Sequence, residues 1–580
     1  MASEKKSNRP LVMGVQHVAA SGHYMSAQAA LEILEAGGNA VDAGVAAGLA
    51  TGVLEGIHVS VAGVAPILIR MAGTGEVVTI SGLGTWPAAA SAQYFIERHG
   101  GKIPAGVERT VMPAAPDAWL TALERWGTMS FAEVARPAIR IAREGFPVYQ
   151  HMANFLRTNE ANIRRYPSTA SIYYPGDKCP DIGDVFLQSD LAASLQFMAD
   201  EDRAASKRGR LAGLAAARDC FYRGDIAKKI IAFHESQGSL MTAADLAGFR
   251  VGVEPAVHGR FAGADIYTCG PWCQGPMLLQ ELNLLDPAAL ARWGHNSVEA
   301  IHDIIEAVKL AAADREAYYG DPRFVNVPLA ALLDEKYSAQ RAALIDPQRA
   351  APELPLPGNV EGVAWPGPQT NSAMMHPGPI DGDESARDTS YSCVVDRWGN
   401  AFSVTPSDGN TAAPVVPGLG FVVSGRGSQS RAVIGHPSSV APGKRPRLTP
   451  NPALAVIEGK MCMPFGTPGG DVQTQAMLQC LINVLVYDMD PQTAVEAPRF
   501  ASYSFPSSFA PNDYRPAVMC IEDRVPAATG ETLAGMGHKV EWWPSLAWQA
   551  GSVCMIKHNT ASGVKAGAAD PRRTAYAVGW

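Results

Sequence analysis

Between residues 366 and 405 the chain changes character abruptly, and that change restricts the possible folds more than any other feature. Pro366 to Arg387 is rich in Pro, Gly, Asn and Ser and carries Asp381, Asp383 and Glu384. Such a segment has little apolar surface to bury and reads as exposed and mobile. It runs directly into Asp388-Thr389-Ser390-Tyr391-Ser392-Cys393-Val394-Val395, in which Ser390 to Val395 has the composition of a buried strand. Asp396 to Asn400 follows as a turn in which Gly399 can take a positive φ, and Ala401 to Thr405 as a second strand. A threonine therefore heads a hairpin where loose peptide meets rigid sheet. Cleavage between Asp388 and Thr389 would free the α-amine of Thr389, and that amine can act as base for the threonine's own hydroxyl.

The rest of the chain supplies a large core. Ser26 to Ala36 has helical spacing and stops at Gly37-Gly38; Asn39 then caps a helix from Ala40 to Leu54 made almost wholly of Ala, Val, Gly and Leu, which should be buried on most sides. Ile67–Arg70 and Glu76–Ile80 read as strands. Residues 115–350 are mostly helical in pattern, as at Phe131–Glu144, Leu191–Met198, Asp225–Ser236 and Val298–Tyr318. Residues 354–388 read as a linker. After Thr389 the pattern turns β-rich, at 390–395, 401–405, 420–424 and Ala453–Ile457, before a helix at Gln475–Tyr487. The outcome is an α/β protein in which residues 1–388 and 389–580 form one fold.

Composition excludes several classes. With 47% hydrophobic and 18% charged residues the chain can bury a core. A net charge of −8 argues against a general nucleic-acid binder. The nine cysteines are odd in number and scattered, so they read as small buried thiols and not as a disulfide framework or a zinc site. The first ten residues carry charge but no apolar stretch, and no run of eighteen apolar residues occurs anywhere, so the expected location is cytoplasmic, away from any membrane. Phosphate-loop, nucleophile-elbow and HExxH signatures are missing, and no cofactor or metal is expected.

Five motifs in order carry a resemblance: Pro10-Leu11-Val12-Met13-Gly14; Ala36-Gly37-Gly38-Asn39-Ala40-Val41-Asp42-Ala43; Gly320-Asp321-Pro322 with Val327-Pro328; Pro468-Gly469-Gly470; and Ala569-Asp570-Pro571-Arg572. Together with the Thr389 stretch they resemble the γ-glutamyltranspeptidase family of N-terminal-nucleophile hydrolases over nearly the whole chain. The resemblance implies a four-layer αββα sandwich, self-cleavage into a large subunit (1–388) and a small subunit (389–580), and a small-molecule amide substrate. It implies Thr389 as nucleophile, Ser407 as a hydroxyl steadying it, and the backbone N–H groups of Gly469 and Gly470 as oxyanion donors. Asn410 is a candidate polar contact to substrate.

The chain departs from the family where the γ-glutamyl group is gripped. The family has an arginine in the segment that corresponds to Ile80-Ser81-Gly82-Leu83-Gly84-Thr85-Trp86-Pro87, which has none. Its acidic residue for the substrate amine is replaced near Gln429, while Arg426 has appeared in Ser424-Gly425-Arg426-Gly427-Ser428-Gln429. Its serines after Lys-Arg-Pro are reduced to Thr449 in Lys444-Arg445-Pro446-Arg447-Leu448-Thr449. The expected substrate is therefore a non-glutamyl amide, as in divergent members of the oxamate amidohydrolase or cephalosporin acylase type. Arg426 is read either as an anchor for a different substrate carboxylate or as a solvated loop residue. The alternatives are a true γ-glutamyltransferase or glutathione hydrolase, and an unprocessed, inactive relative that serves as a scaffold.

Overall fold

Period-two alternation organises the molecule. In this computed structural model, which describes residues 7–360, 363, 388–409 and 413–580, neighbouring residues of one strand enter different cores. Val394 packs with helices, whereas Cys393 and Val395 pack into a second apolar layer; Ile67 and Ile69 go with the helices, and Leu68 does not. In the other sheet Ala453 and Ala455 join a third cluster with helices, while Leu454 and Val456 meet Cys393 and Leu68 in the middle layer. Successive side chains of a strand point to opposite faces, so these central strands are buried on both sides.

The strands form two seven-stranded antiparallel sheets. One runs in the order Tyr576–Gly579, Val18–Ser21, Ser392–Val395, Ala401–Val404, Ile67–Arg70, Val77–Ile80, Val253–Pro255. The other runs Val12–Gly14, Lys565–Ala569, Cys554–Asn559, Met461–Gly466, Ala453–Ile457, Ala264–Thr268, Val257–Phe261. Both contain strands from either side of Thr389. Helices Tyr24–Glu35 and Ala40–Leu54, with those between 115 and 248, cover the first sheet; Gly275–Asn283, Val298–Tyr318 and Gln473–Leu485 cover the second.

The expected hairpin is present. Ser392 pairs with Val404 and Val395 with Ala401, and Gly399 turns at φ 82°. The Asp396 carboxylate accepts from the amides of Trp398 and Asn400 within the turn, and from Ala40 N at 2.9 Å. That last bond ties the hairpin to the N-terminus of the Ala40–Leu54 helix, where an anionic acceptor is favoured. The helix begins as the sequence predicts: Asn39 and Asp42 form a reciprocal capping box, and all fifteen residues are buried.

Three expectations are corrected. Residues 420–424 are not a strand; Val423 makes a single bridge to Ala62, with Gly420 at φ 75°. An apolar run alone did not distinguish buried coil from sheet. Phe131–Glu144 is two helices, Phe131–Val134 and Arg136–Glu144, divided where Pro137 occupies the first turn of the second. The start of the expected linker is anchored: Leu354 N donates to the Tyr514 hydroxyl, Gly358 N to Asp314, and the Tyr318 hydroxyl to Gly358 O. Residues 361–362 and 364–387 lie outside the described residues. All nine cysteines are free thiols, eight of them buried. Among the described residues no helix is long and apolar enough to cross a membrane.

A β-carbon at Gly44 would lie 2.1 Å from the ring of Phe402, a fully buried neighbour of the Thr389-bearing strand. In an exposed helix Gly→Ala gains up to ~1 kcal/mol. Gly44→Ala should instead destabilise by ~1–3 kcal/mol through overpacking, read as a lowered melting temperature; a raised one would contradict the packing.

Candidate active site

Thr389 is held by backbone before any side chain is considered. It forms a bridge with Ser407, and Ser390 N donates to Pro406 O at 3.0 Å. Ser407 in turn pairs with Val64, and Asp408 with Val59, across a bulge at which Asp408 adopts φ 97°. A non-glycine residue in that region is strained, and such strain persists only where surrounding contacts fix it. Here both Asp408 carboxylate oxygens are engaged, by Ser424 Oγ at 2.6 Å and Arg426 Nε at 3.1 Å.

These constraints bring a chain of hydroxyls to the Asp388–Thr389 peptide bond. The Thr389 hydroxyl is 2.8 Å from Ser407 Oγ, and Ser407 Oγ donates to the carbonyl oxygen of Asp388 at 2.9 Å. With that proton committed, Ser407 accepts from Thr389, and it also accepts from Arg426 Nη2. A second, longer bond at 3.5 Å joins Arg426 Nη2 to Asp388 O. Thr389, Ser407 and Arg426 are all buried. Arg426 is thus no solvated loop residue. Its guanidinium is occupied by Asp408, Ser407 and the Asp388 carbonyl, and burial lowers its pKa, offset in part by Asp408 and Asp388.

Gln429 and Thr449 face each other: Gln429 Nε2 donates to Thr449 Oγ1 at 2.9 Å, and Thr449 N to Gln429 Oε1 at 3.4 Å. Leu83 is buried in the layer between the sheets. Asn410 lies outside the described residues. Gly469 and Gly470 have φ 123° and 56° and lead into the Gln473–Leu485 helix. Their loop is fixed by Gln274 Nε2 on Gly470 O at 3.0 Å and by Arg315 on the Asp471 carboxylate at 2.6 Å.

Two cavities meet here. One of about 970 Å³ is lined by Lys102, Arg109, Arg165, Asp408, Arg426 and Arg431, a strongly basic wall. The other, of about 50 Å³, is lined by Asp388, Gly469, Gly470, Trp548 and Arg573. Phe509 and Asp513 line both.

Sequence reasoning missed three participants. Asp408 looked like a turn residue. Arg573, one position beyond the last recognised motif, forms a buried ion pair with the Asp388 carboxylate. Glu55, at the end of the Ala40–Leu54 helix, accepts from Ser390 Oγ at 2.6 Å. Burial raises the Glu55 pKa to about 7, against the opposing effects of Ser390 and Arg573. Its position beside Ser390, next to Thr389, is created by tertiary packing over 335 residues and leaves no local signal.

Similarity to known proteins coincides with this geometry. The profile described as Gamma-glutamyltranspeptidase matches residues 26–580. The acylase ACY 1 proenzyme of Pseudomonas sp. (strain SE83) is 30% identical over 579 residues, covering 98% of this chain and 94% of that protein. The glutathione hydrolase proenzyme of Bacillus subtilis (strain 168) is 28% identical over 575 residues, covering 98% and 92%. The crystal structure of cephalosporin acylase from Bacillus halodurans superposes with a TM-score of 0.85 at 25% identity, over 100% of this chain and 98% of that one.

The raised pKa of Glu55 makes stability depend on pH. Between its ordinary value of 4.5 and about 7 the folded state holds a proton that the unfolded chain has released. Unfolding therefore becomes easier as pH rises through that window, and above it the native state carries the full cost of the buried carboxylate. At about 1.36 kcal/mol per unit the displacement amounts to roughly 3 kcal/mol. In urea unfolding of the uncut Thr389→Ala chain, adding Glu55→Gln should stabilise by up to that amount at pH 8 relative to its effect at pH 4.5. The same difference at both pH values would rule out this assignment.

Proposed function

Since the chain belongs to the γ-glutamyltranspeptidase family, we propose that it is a self-processing amidohydrolase on a four-layer αββα sandwich, with Thr389 as nucleophile in both processing and turnover. The observation that carries the reading is the relay Thr389–Ser407–Asp388 carbonyl. It places the threonine hydroxyl, a polarised scissile carbonyl and a buried cation together at one peptide bond.

Processing follows from the relay. Thr389 Oγ1 attacks the Asp388 carbonyl carbon, its proton passing to Ser407 Oγ as Ser407 delivers its own proton to the carbonyl oxygen, and the Arg426 guanidinium stabilises the negative charge that develops there during the transfer. The C–N bond breaks, the proton returns to the leaving amine, and an ester links Asp388 to Thr389 Oγ1. Water hydrolyses that ester, leaving a carboxylate on Asp388 and a free α-amine on Thr389. In turnover the amine takes the proton of the Thr389 hydroxyl, which attacks the substrate amide. The amine of the leaving group departs with a proton, and water releases the acid from the acyl-threonine. Gly469 and Gly470, fixed on the same cavity as Asp388, are the proposed donors to the substrate oxyanion.

The substrate reading is non-glutamyl. The segment from Ile80 to Pro87 has no arginine where the family's carboxylate grip is expected, and Gln429 bonds to Thr449 where an acid would hold an amine. Arg426 orients Ser407 in this reading. Glutathione hydrolysis is the second reading, favoured by the 28%-identical Bacillus subtilis relative; turnover of γ-glutamyl-p-nitroanilide would support it over the first.

The wild-type protein should run as two chains on a denaturing gel, with the small chain beginning Thr-Ser-Tyr-Ser-Cys; any other start removes Thr389 as nucleophile. Thr389→Ala should remain one inactive chain. Ser407→Ala deletes the donor to the scissile carbonyl and should slow self-cleavage by about 10²–10³-fold, whereas Ser407→Thr should retain most of it. Arg426→Ala should slow processing as well as turnover. Normal processing in that variant would free Arg426 from the proposed role.

A further inference from the structure

Apart from the Thr389 site, three buried side chains that the proposed reaction does not use converge on one point. His302 and Glu306 lie one turn apart on the helix Val298–Tyr318, so they share a face. His538 arrives from the turn between the helix Ala527–Gly535 and the strand Lys539–Trp543. Gly537 makes that turn at φ 105°, and His538 N donates to Leu533 O at 3.2 Å. One nitrogen from each ring and one Glu306 carboxylate oxygen all lie within 4.8 Å of one another, and none of the three residues is more than 4% exposed. No sequence motif marks the group, because its two histidines are 236 residues apart.

The hydrogen bonds show which atoms can ligate. His302 Nε2 lies 2.8 Å from Asp346 O, which can only accept, so Nε2 carries the proton and Nδ1 of the neutral ring presents a lone pair. His538 Nε2 lies 2.9 Å from that Nδ1 and fills it with its own proton, which leaves His538 Nδ1 without a hydrogen-bond partner among the described residues. An imidazole fixed through one nitrogen by a backbone carbonyl and available at the other is oriented as metal-binding imidazoles are. The two rings meet at 72° and do not stack. Burial, with the nearby Lys309 charge, holds the His538 pKa down at about 3, so its ring is neutral. Glu306 Oε1 accepts from Lys309 Nζ at 2.6 Å and Oε2 from Ala351 N at 3.1 Å, and each oxygen keeps a further lone pair.

We propose that His302 Nδ1, His538 Nε2 and the Glu306 carboxylate form a binding site for one divalent transition ion of the zinc type. Two imidazoles and one carboxylate suit zinc, whereas calcium and magnesium call for more oxygen ligands. Around a tetrahedral zinc with Zn–N of ~2.0–2.1 Å the nitrogens stand roughly 3.3 Å apart, so the 2.9 Å pair has to open by about 0.4 Å. The proton between the rings moves to His538 Nδ1, and both imidazoles stay neutral. Lys309 is the competing cation; it keeps its bond to Ala351 O and shares Glu306 with the ion. Glu306 also lines a cavity of about 310 Å³ that gives the ion a way in and shares no lining residue with the two cavities at Thr389. The role is therefore structural. His302 and Glu306 precede Thr389 and His538 follows it, so the ion ties together the two chains that self-cleavage produces.

The test titrates chelator-treated wild-type protein with Zn²⁺ by calorimetry and with Co²⁺ by its visible d–d absorption. One equivalent should bind, and Zn²⁺ should raise the melting temperature where Mg²⁺ does not. His538→Gln should weaken zinc by more than the ~10–100-fold typical of a lost outer-shell partner, and should lose both the cobalt spectrum and the thermal shift. Should that variant fail to fold, Glu306→Gln carries the same comparison. Lys309→Met removes the competing ammonium and should bind zinc more tightly, an outcome that a merely structural histidine pair does not produce. No zinc-dependent shift in the wild type, undiminished binding by the ligand variants, or unchanged affinity in Lys309→Met would overturn the proposal. Binding is measurable on the cut or the uncut chain, so its failure is distinct from failure of the proposed processing.

Discussion

The strand that carries Thr389 lies between Val18–Ser21, from the N-terminal part, and Ala401–Val404, from its own hairpin. The rest of the site depends on that placement. Both faces of the strand are buried, Val394 against helices and Cys393 with Val395 against the other sheet. A strand so confined cannot slip register, because a shift of one residue would exchange its two faces. The threonine at its head inherits that rigidity. The same interleaving means that a cut before Thr389 does not divide the cores: strands from both resulting chains hydrogen-bond within each sheet.

Onto this frame the molecule places a hydrogen-bond node with no spare capacity. Ser407 has one proton and commits it to the Asp388 carbonyl, so the two groups that approach its oxygen must be donors. An arginine suits the second position better than a lysine. Burial drives both cations toward neutrality, but a guanidinium starts from the higher pKa and so loses less of its charge when burial lowers it. Asp408 offsets that charge from the opposite edge, and the strained backbone at φ 97° is what brings its carboxylate there.

The legible parts of this architecture are those specified locally. The Ala40–Leu54 helix could be read to the residue because Gly37-Gly38 ends one helix and Asn39 with Asp42 starts the next. The Thr389 hairpin was equally plain, since its turn chemistry and its strands agree. Val18–Ser21 and Met461–Gly466 were not read, because short, doubly buried strands lack the alternation of apolar and polar residues that marks a half-exposed strand. In the site, Thr389, Ser407, Gly469 and Gly470 came from motifs. Glu55, Asp408 and Arg573 did not, because each acquires its meaning from a partner that only the fold supplies: Ser390, Arg426 and Asp388.

Charge pairing shows why Arg573 stands apart from the other buried guanidinium groups. Arg315, Arg431 and Arg447 converge on Glu316; Arg445 is held by Glu254 and Asp321; Arg499 and Arg572 share Asp570. Each of those carboxylates is held by at least two donor groups. Each pair can be fixed by packing, and breaking one would leave an uncompensated charge in a low-dielectric interior. The carboxylate on Arg573 belongs to Asp388, the residue before Thr389. This pair is as buried as the others, at 6% and 1% side-chain exposure, and differs from them in standing directly at Thr389. A cation prepared by stacking on Trp548 thus fixes the residue whose carbonyl Ser407 and Arg426 hold.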